Sequence, residues 1–566
     1  MYKNLTNELT LEVESTSATE LLVGDEVLQL MSDQNFIEAW HALYGDCEWA
    51  TVFQSPEFVS VWYQTFHHKN LPILVKEEQG GKLTGLLTLA KNVQGLGITA
   101  AGGWDAYYHT WLCSKSDEDR FIKNALSKVR EGFKGQKIMF KYIPPKTPLN
   151  WLQDDPEWNS RYVMREFKRP VMNFQDPEAT KLFKKKQFRE NRNRLKRLGE
   201  LKFEKIVVLD EFKAVLDELI IQFDFRKGAT LNKIPFKNNP VKKEFLLALF
   251  EQGILHVTVL KLNDEIIASL VATEGKNKWV HGAGINTHSP FYAKYSPGYV
   301  IMVMLEQLLF EEGYAAFDLT PGGHAYKERL ANSHDQLYEL CITSKWHAYT
   351  TRFFYDYLKK ASMYGLSRAG INPKLLRSNV ERKLLLKKEQ LKLAKYNGYR
   401  SLVRDKNTQN LGKQIEVYRV DASALGETMP VRRNCLNSLL QYKAKGAQLT
   451  RWEFLEGAMM RFESGEESYT WLKDGQLQLC LWVNYTSKTG FEKNDGAVAV
   501  KFENIYCNPE NTKDLPAFIA AVSREIITKT GKQNYYITVN AHDNLLVQSF
   551  EQIGVNTASL SVETSI

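Results

Sequence analysis

Apolar positions along this chain follow two rhythms. Phe58, Val61, Trp62 and Phe66 recur at helical spacing, after Ser55, which suits a cap, and Pro56, which suits a first turn. Strand-like runs follow at 71–76, 83–91 and 139–142, with turns at Gly85, at the group Gly95, Gly97, Gly102 and Gly103, and at Pro144-Pro145. A basic helix is expected over 183–198, stopped by Gly199, then a strand over 201–208 and a helix over 210–227 with Phe212, Leu216, Leu219 and Phe223 on one face. Strands at 256–262, 266–274 and 279–285, linked by turns at Asn263-Asp264 and near Gly275, read as an antiparallel meander. A helix over 298–312 and a strand over 316–320 complete this unit. Strands at 469–472, 477–485 and 497–505, a helix at 515–530, a strand at 535–539 and a helix at 545–553 repeat the order. The pattern predicts an α/β (α+β) protein with mixed, mostly antiparallel sheets flanked by helices.

Length supports several cores. The 566 residues are 43% hydrophobic and 12% aromatic, which suggests roughly three to four domains and excludes a largely disordered chain. The changes in pattern divide the chain into an extension (1–24), a first unit (25–175), a second (176–350), a helical basic linker (351–409) and a C-terminal unit (410–566). No apolar run reaches the ~18 residues of a membrane span, and the first residues lack an apolar signal core. The six scattered cysteines form no CxxC pair, so no metal site or disulfide framework is expected, and the setting reads as cytoplasmic. The net charge of +8 is concentrated in two stretches, 181–205 and 374–400. Such stretches fit an anionic partner or a solvated helix face.

Two segments carry candidate chemistry. Tyr292-Ala-Lys-Tyr-Ser-Pro-Gly298 leads into the helix expected at 298–312. A helix start with exposed N–H groups suits an anion such as a pyrophosphate, and glycine at 298 would let the backbone approach it. Phe317-Asp-Leu-Thr-Pro-Gly-Gly-His-Ala-Tyr-Lys-Glu-Arg329 follows a buried strand. Asp318 and His324 suit orienting or deprotonating a nucleophile, and Lys327 suits an oxyanion. The same residues also fit a capped turn, a solvated histidine and a surface ion pair.

Taken with Phe53–Trp62, the basic stretch from Arg189 to Gly199, and His281 with its flanking glycines, these segments resemble the CelD/BcsL group of acetyltransferase-like proteins, over about residues 50–345. That group is a branch of the GNAT (acyl-CoA N-acyltransferase) superfamily related to Fem-type peptidyl transferases. The resemblance implies tandem GNAT folds, with acyl-CoA as cosubstrate and no permanently bound cofactor. It implies donor binding at Tyr295, Ser296, Pro297 and Gly298, and catalysis around Asp318, Lys327, His281 and His324. Tyr292, Tyr326 and Arg192 are the expected substrate contacts, and no metal is expected. Lys327, preceded by Tyr326, matches the essential lysine of the Fem-type motif. The C-terminal unit looks like a third GNAT domain, including Asn544, Phe550 and Gly554. Its loop at 510–516 has no glycine, and Pro516 has no N–H, so poor acyl-CoA binding is expected there.

The expected activity is acyl transfer from acyl-CoA to an amine or hydroxyl of a small molecule, glycan or lipid acceptor in envelope or polysaccharide synthesis. Aminoacyl-tRNA as donor is the alternative, favoured by the basic helix. A non-catalytic scaffold in exopolysaccharide assembly is a third reading. The leucines within 374–395, among lysines, suit peripheral contact with the inner membrane or packing between domains.

Overall fold

The computed structural model describes residues 18–353, 373–397, 415–421, 429–444, 449–485, 498–531, 534–540 and 544–553, apart from positions 94, 96, 178, 182 and 283. One mixed sheet runs through the first 342 residues. Its strands are β1 (Ala18–Val23), β2 (Asn70–Gln79), β3 (Lys82–Asn92), β4 (Ile98–Ala100), β5 (Leu112–Cys113), β6 (Ile138–Ile143), β7 (Tyr162–Asn173), β8 (Leu201–Ile206), β9 (Leu255–Leu262), β10 (Glu265–Gly275), β11 (Trp279–His281), β12 (Asn286–His288), β13 (Ala316–Asp318) and β14 (Ser333–Ile342). They lie in the order β1-β2-β3-β4-β6-β14-β7-β13-β11-β10-β9-β8, with β5 on β3 and β12 on β10. The first and second halves therefore share one sheet. β7 pairs with β13 and β14, and β14 also pairs with β6.

The strand expected at 279–285 ends at His281, and a second strand, β12, follows beyond the expected range. β11 pairs with the end of β10 and β12 with its middle. Between them Gly284 has φ +141°, and a Cβ there would lie 2.3 Å from the Val271 carbonyl oxygen. Only glycine allows this break in the strand.

Helices cover both faces of the second half. α1 (Pro56–Phe66) belongs to the first half and starts as expected, with Phe58 N–H donating to Ser55 Oγ at 3.2 Å. α2 (Lys186–Lys196) and α5 (Pro297–Glu311) bury Phe188, Leu195, Val300, Ile301, Leu305 and Leu309 against Leu260, Leu270, Ala272, Val280 and Phe317. α3 (Leu209–Leu231) and α4 (Val241–Glu251) bury Phe212, Leu216, Leu219, Phe223 and Leu246 against Val257, Val259, Val271 and Ile285. The alternation along β9 sends Leu260 and Leu262 to one face and Val257 and Val259 to the other.

The second sheet holds β15 (Ile415–Asp421), β16 (Arg432–Arg433), β17 (Glu467–Lys473), β18 (Gln476–Asn484), β19 (Val498–Cys507) and β20 (Asn534–Asn540), ordered β15-β20-β19-β18-β17-β16. Phe225 and Ala229 on the outer face of α3 pack with Phe454, Leu455 and Phe462 of helix α7 (Arg451–Ser464), and Trp452 Nε1 donates to the Ala229 carbonyl at 2.9 Å. α3 is apolar on two faces because it lies between two bodies. In the linker, α6 (Pro373–Asn397) touches α7 through the Arg382–Glu456 ion pair and a 2.8 Å bond from Gln390 to Glu453. Its Leu384, Leu385 and Leu391 are exposed. Residues 1–17, 354–372 and 398–414, together with Gly554 and the side chains of Leu375, Leu376 and Val380, lie outside the described residues.

Where the two halves of the large sheet meet, Arg169 of β7 is buried. It pairs through Nε with Asp335 Oδ1 at 2.7 Å, and its Nη1 lies 3.7 Å from Asp318 Oδ2. Its guanidinium stacks 5.1 Å from both the Tyr108 and the Trp279 ring centroids. Removing one member of a buried charge network strands the others. Arg169→Met should lower unfolding free energy by about 3–5 kcal/mol in denaturant titration, whereas Arg165→Met, at the more exposed Glu339 pair, should cost under about 1 kcal/mol.

Candidate active site

β11 and β13 run parallel, with His281 opposite Asp318. Gly282 N–H donates to the Asp318 carbonyl at 2.8 Å. Beyond this point β12 continues on β10 while β13 has ended, so the sheet splits here.

Asp318 stands at the apex of the split with no exposed surface. His281 Nδ1 is 2.8 Å from its Oδ2, and Thr320 N–H donates to its Oδ1 at 2.7 Å. Burial pushes the Asp318 carboxyl up. Arg169 and then His281 outweigh it and hold the group below its ordinary value, ionised at neutral pH. His281 is buried too, ringed by Phe53, Tyr108 and Trp279. Neither side chain opens to solvent, so the pair shapes the site from beneath.

Thr320 has φ +62° while buried. This is a strained conformation for a β-branched residue. It turns the Thr320 carbonyl and Oγ1 toward Lys327, whose Nζ donates to them at 3.1 and 2.8 Å. Lys327 lies on the short helix Ala325–Leu330 and is 7% exposed. Burial, partly offset by Asp318, pushes its ammonium down to about 8. His324 precedes that helix and is exposed. Burial, then Lys327, Lys227 and Arg226, hold its ring below the ordinary histidine value, so it is a neutral base at pH 7. Its ring centroid is 6.0 Å from that of Tyr326.

Across the split, α5 begins at Ser296, which has φ +56° and makes no side-chain cap. A Cβ on Gly298 would lie 2.9 Å from His288 Nδ1. The glycine thus makes room for the His288 ring, a requirement beyond the ligand approach expected from sequence. His288 Nδ1 accepts from Arg226 Nη1 at 2.9 Å. Burial, then Arg226, push His288 down to about 3, so it is a neutral acceptor. α2 leans over the same end: Arg194 lies 5.5 Å from the Tyr295 ring centroid, whereas Arg192 lies 5.6 Å from the ring centroid of Phe188 on its own helix. The Arg192 Nε is buried without a partner. Tyr292 donates its hydroxyl to Glu265 at 2.7 Å and so braces the segment before α5.

Arg226 and Lys227 on α3 were absent from the sequence candidates, as were Arg169, Tyr108 and His288. Burial, then Arg226 and Lys233, lower Lys227, and no carboxylate stands within ion-pair distance of Arg226 or Lys227 among the described residues. Two cations directly after the apolar stretch of α3 were the available signal. In the C-terminal unit, the glycine-free stretch 510–516 is tied at its start to Gln478, whose Oε1 accepts from Asn508 and Asn511 at 2.6 and 2.8 Å. Among the described residues no group of His, Cys, Asp and Glu could hold a metal ion, and no helix is long and apolar enough to cross a membrane.

Residues 183–328 match the family model described as an acetyltransferase (GNAT) domain. The middle of the chain has the fold of a GNAT domain. The split sheet, α5 and the Asp318–Lys327 segment all fall within the matched stretch. No curated protein matches the chain. Similar solved structures include the C-terminal (DUF2156) domain of a putative lysylphosphatidylglycerol synthetase from Agrobacterium fabrum, at 14% identity over 56% of this chain and 94% of that one, with a TM-score of 0.37. FemX is similar at 10% identity over 56% and 98%, with a TM-score of 0.40. A tandem GNAT protein from the clavulanic acid biosynthesis pathway is similar at 10% over 57% and 98%, with a TM-score of 0.35. Likenesses this distant carry no argument about activity.

The contact between Gly298 and His288 gives the GNAT domain a local test. Gly298→Ala should displace His288 and cost about 1–3 kcal/mol of stability by overpacking. Gly323→Ala, where a Cβ meets nothing within 4 Å, should stay within about 0.5 kcal/mol of wild type. Thermal denaturation of both variants reads the difference.

Proposed function

We propose that this chain is an acyltransferase that uses acyl-CoA and passes the acyl group directly to an amine or hydroxyl. The observation that carries the reading is Lys327, a buried lysine held by the strained Thr320 beside the split in the sheet. In this reading the donor phosphates lie at the uncapped start of α5, at Tyr295, Ser296, Pro297 and Gly298, with Arg194 beside them. The thioester enters the split, and the nucleophile attacks its carbonyl carbon as the sulfur departs as thiolate. Lys327 donates to the developing oxyanion. His324 takes the proton of the attacking group. Asp318 and His281 hold the Thr320 turn in place and touch no substrate.

The finer readings are proposals of the same kind. Membership of the CelD/BcsL group, and with it a polysaccharide or envelope acceptor, rests on the segments 292–298 and 317–329. Peripheral contact with an anionic membrane is supported by Leu384, Leu385 and Leu391, exposed among Lys387, Lys388 and Lys392; sedimentation with anionic vesicles reads it directly. The runner-up donor, aminoacyl-tRNA, draws on exposed Arg189, Arg194, Lys196 and Arg197 along and after α2. A salt-dependent shift of tRNA with no binding of acyl-CoA would favour it.

Turnover with a bound acyl-CoA, identified by native mass spectrometry, should fall about 10²-fold or more in Lys327→Ala. If the ammonium form is required, activity is present below about 8 and lost as pH rises through that value. Lys327→Arg should move this falling limb upward, because a guanidinium stays charged. Unchanged turnover in Lys327→Ala would sink the assignment.

A further inference from the structure

A cavity of about 190 Å³ lies between the two halves of the large sheet, on the α3 and α4 face. Phe58, Phe223, Phe245, Leu246, Leu255 and Ile285 line it. Trp104, Thr273 and the paired Asp105 and Lys242 complete the lining, so the space suits an apolar group of several carbons that carries a polar end. Three features tie it to the candidate active site. Gly284 and Ile285, between β11 and β12, form part of its wall. Tyr107 also lines it, and burial, then Tyr142, Asp318 and Tyr326, raise its hydroxyl above the ordinary tyrosine value. Finally, Lys227 stands 5.3 Å from the ring centroid of Phe223, a lining residue.

The position of the cavity decides between the two substrates. α5 packs on one face of the sheet with Leu260, Leu270 and Val280, while the cavity lies on the other with Phe223, Val271 and Ile285. A donor held at α5 reaches the split from the first face. Direct transfer then brings the acceptor from the second face, past the cavity. Lys242 and Asp105, which line the cavity, are paired with each other, whereas among the described residues no carboxylate stands within ion-pair distance of Arg226 or Lys227 on the neighbouring turn of α3.

We infer that the acceptor is an amphiphilic acid, with an apolar group of several carbons in this cavity and an anionic group on Lys227 and Arg226. That it is the acceptor rests on the acyl-transfer reading; that the cavity takes such a molecule does not.

Calorimetry on the full chain with octanoate, acetate and octylammonium tests the inference. Octanoate should bind at least about 10-fold tighter than either, since acetate lacks the chain and octylammonium has the wrong charge. Leu246→Trp, which fills the cavity, should remove octanoate binding. Lys227→Met should weaken octanoate about 10-fold while leaving 1-octanol within about twofold, and this arm stands even if Leu246→Trp fails to fold. Octanoate binding no tighter than acetate, or unmoved by Lys227→Met, overturns the inference. Acetyl-CoA titrated into the same protein separates the two readings. Acetyl-CoA binding without octanoate binding removes only the amphiphile. Octanoate binding without acyl-CoA binding keeps the cavity's ligand and removes its role as acceptor.

Discussion

The Asp318 carboxylate has no contact with solvent, so its charge persists only because Arg169, His281 and the Thr320 amide replace the water it lost. Much of the site follows from that exchange. Arg169 comes from β7 and also grips Asp335 on β14, so one guanidinium ties together the strands that join the two halves of the sheet. His281 fixes β11 against β13 at the point where the strands part. The Thr320 amide, drawn to the same carboxylate, holds a residue at positive φ that would otherwise relax. That turn presents two oxygens to Lys327, and burial does the rest, leaving its ammonium poised near neutral pH.

Much of this was legible in the residues, for identifiable reasons. The meander from β9 to β11, α5 and the strand ending at Asp318 are local patterns with strong periodicity and glycine punctuation. Lys327 and His324 lie within ten residues of Asp318, so one motif brings them together. β7 and β14 were missed: the first carries Arg165, Lys168, Arg169 and Pro170, and its ladder depends on partners some 160 residues away. Arg169 was missed for the same reason, since nothing near it in the chain hints at Asp318. Arg226 and His288 meet only through tertiary packing. At Gly298 the residue type pointed to a ligand, whereas the structure adds a second requirement, the ring of His288.

α3 links these observations to the rest of the molecule. Its inner face closes the sheet and the cavity, its outer face carries the C-terminal body, and its Arg226 holds His288 beside the start of α5. A helix apolar on two faces has little freedom to rotate, so the two cations Arg226 and Lys227 are held in place. The C-terminal unit thereby supports the position of site residues even with its own glycine-free loop tied to Gln478.

Burial lowers the Lys327 ammonium and the Asp318 carboxylate partly restores it. An NMR titration of the Lys327 side chain, assigned by comparison with Lys327→Arg, measures this directly. A transition at about 8 is expected in the wild type, and a lower one in Asp318→Asn, where the opposing charge is gone. A wild-type transition at the ordinary lysine value, or one unmoved by Asp318→Asn, would contradict the account.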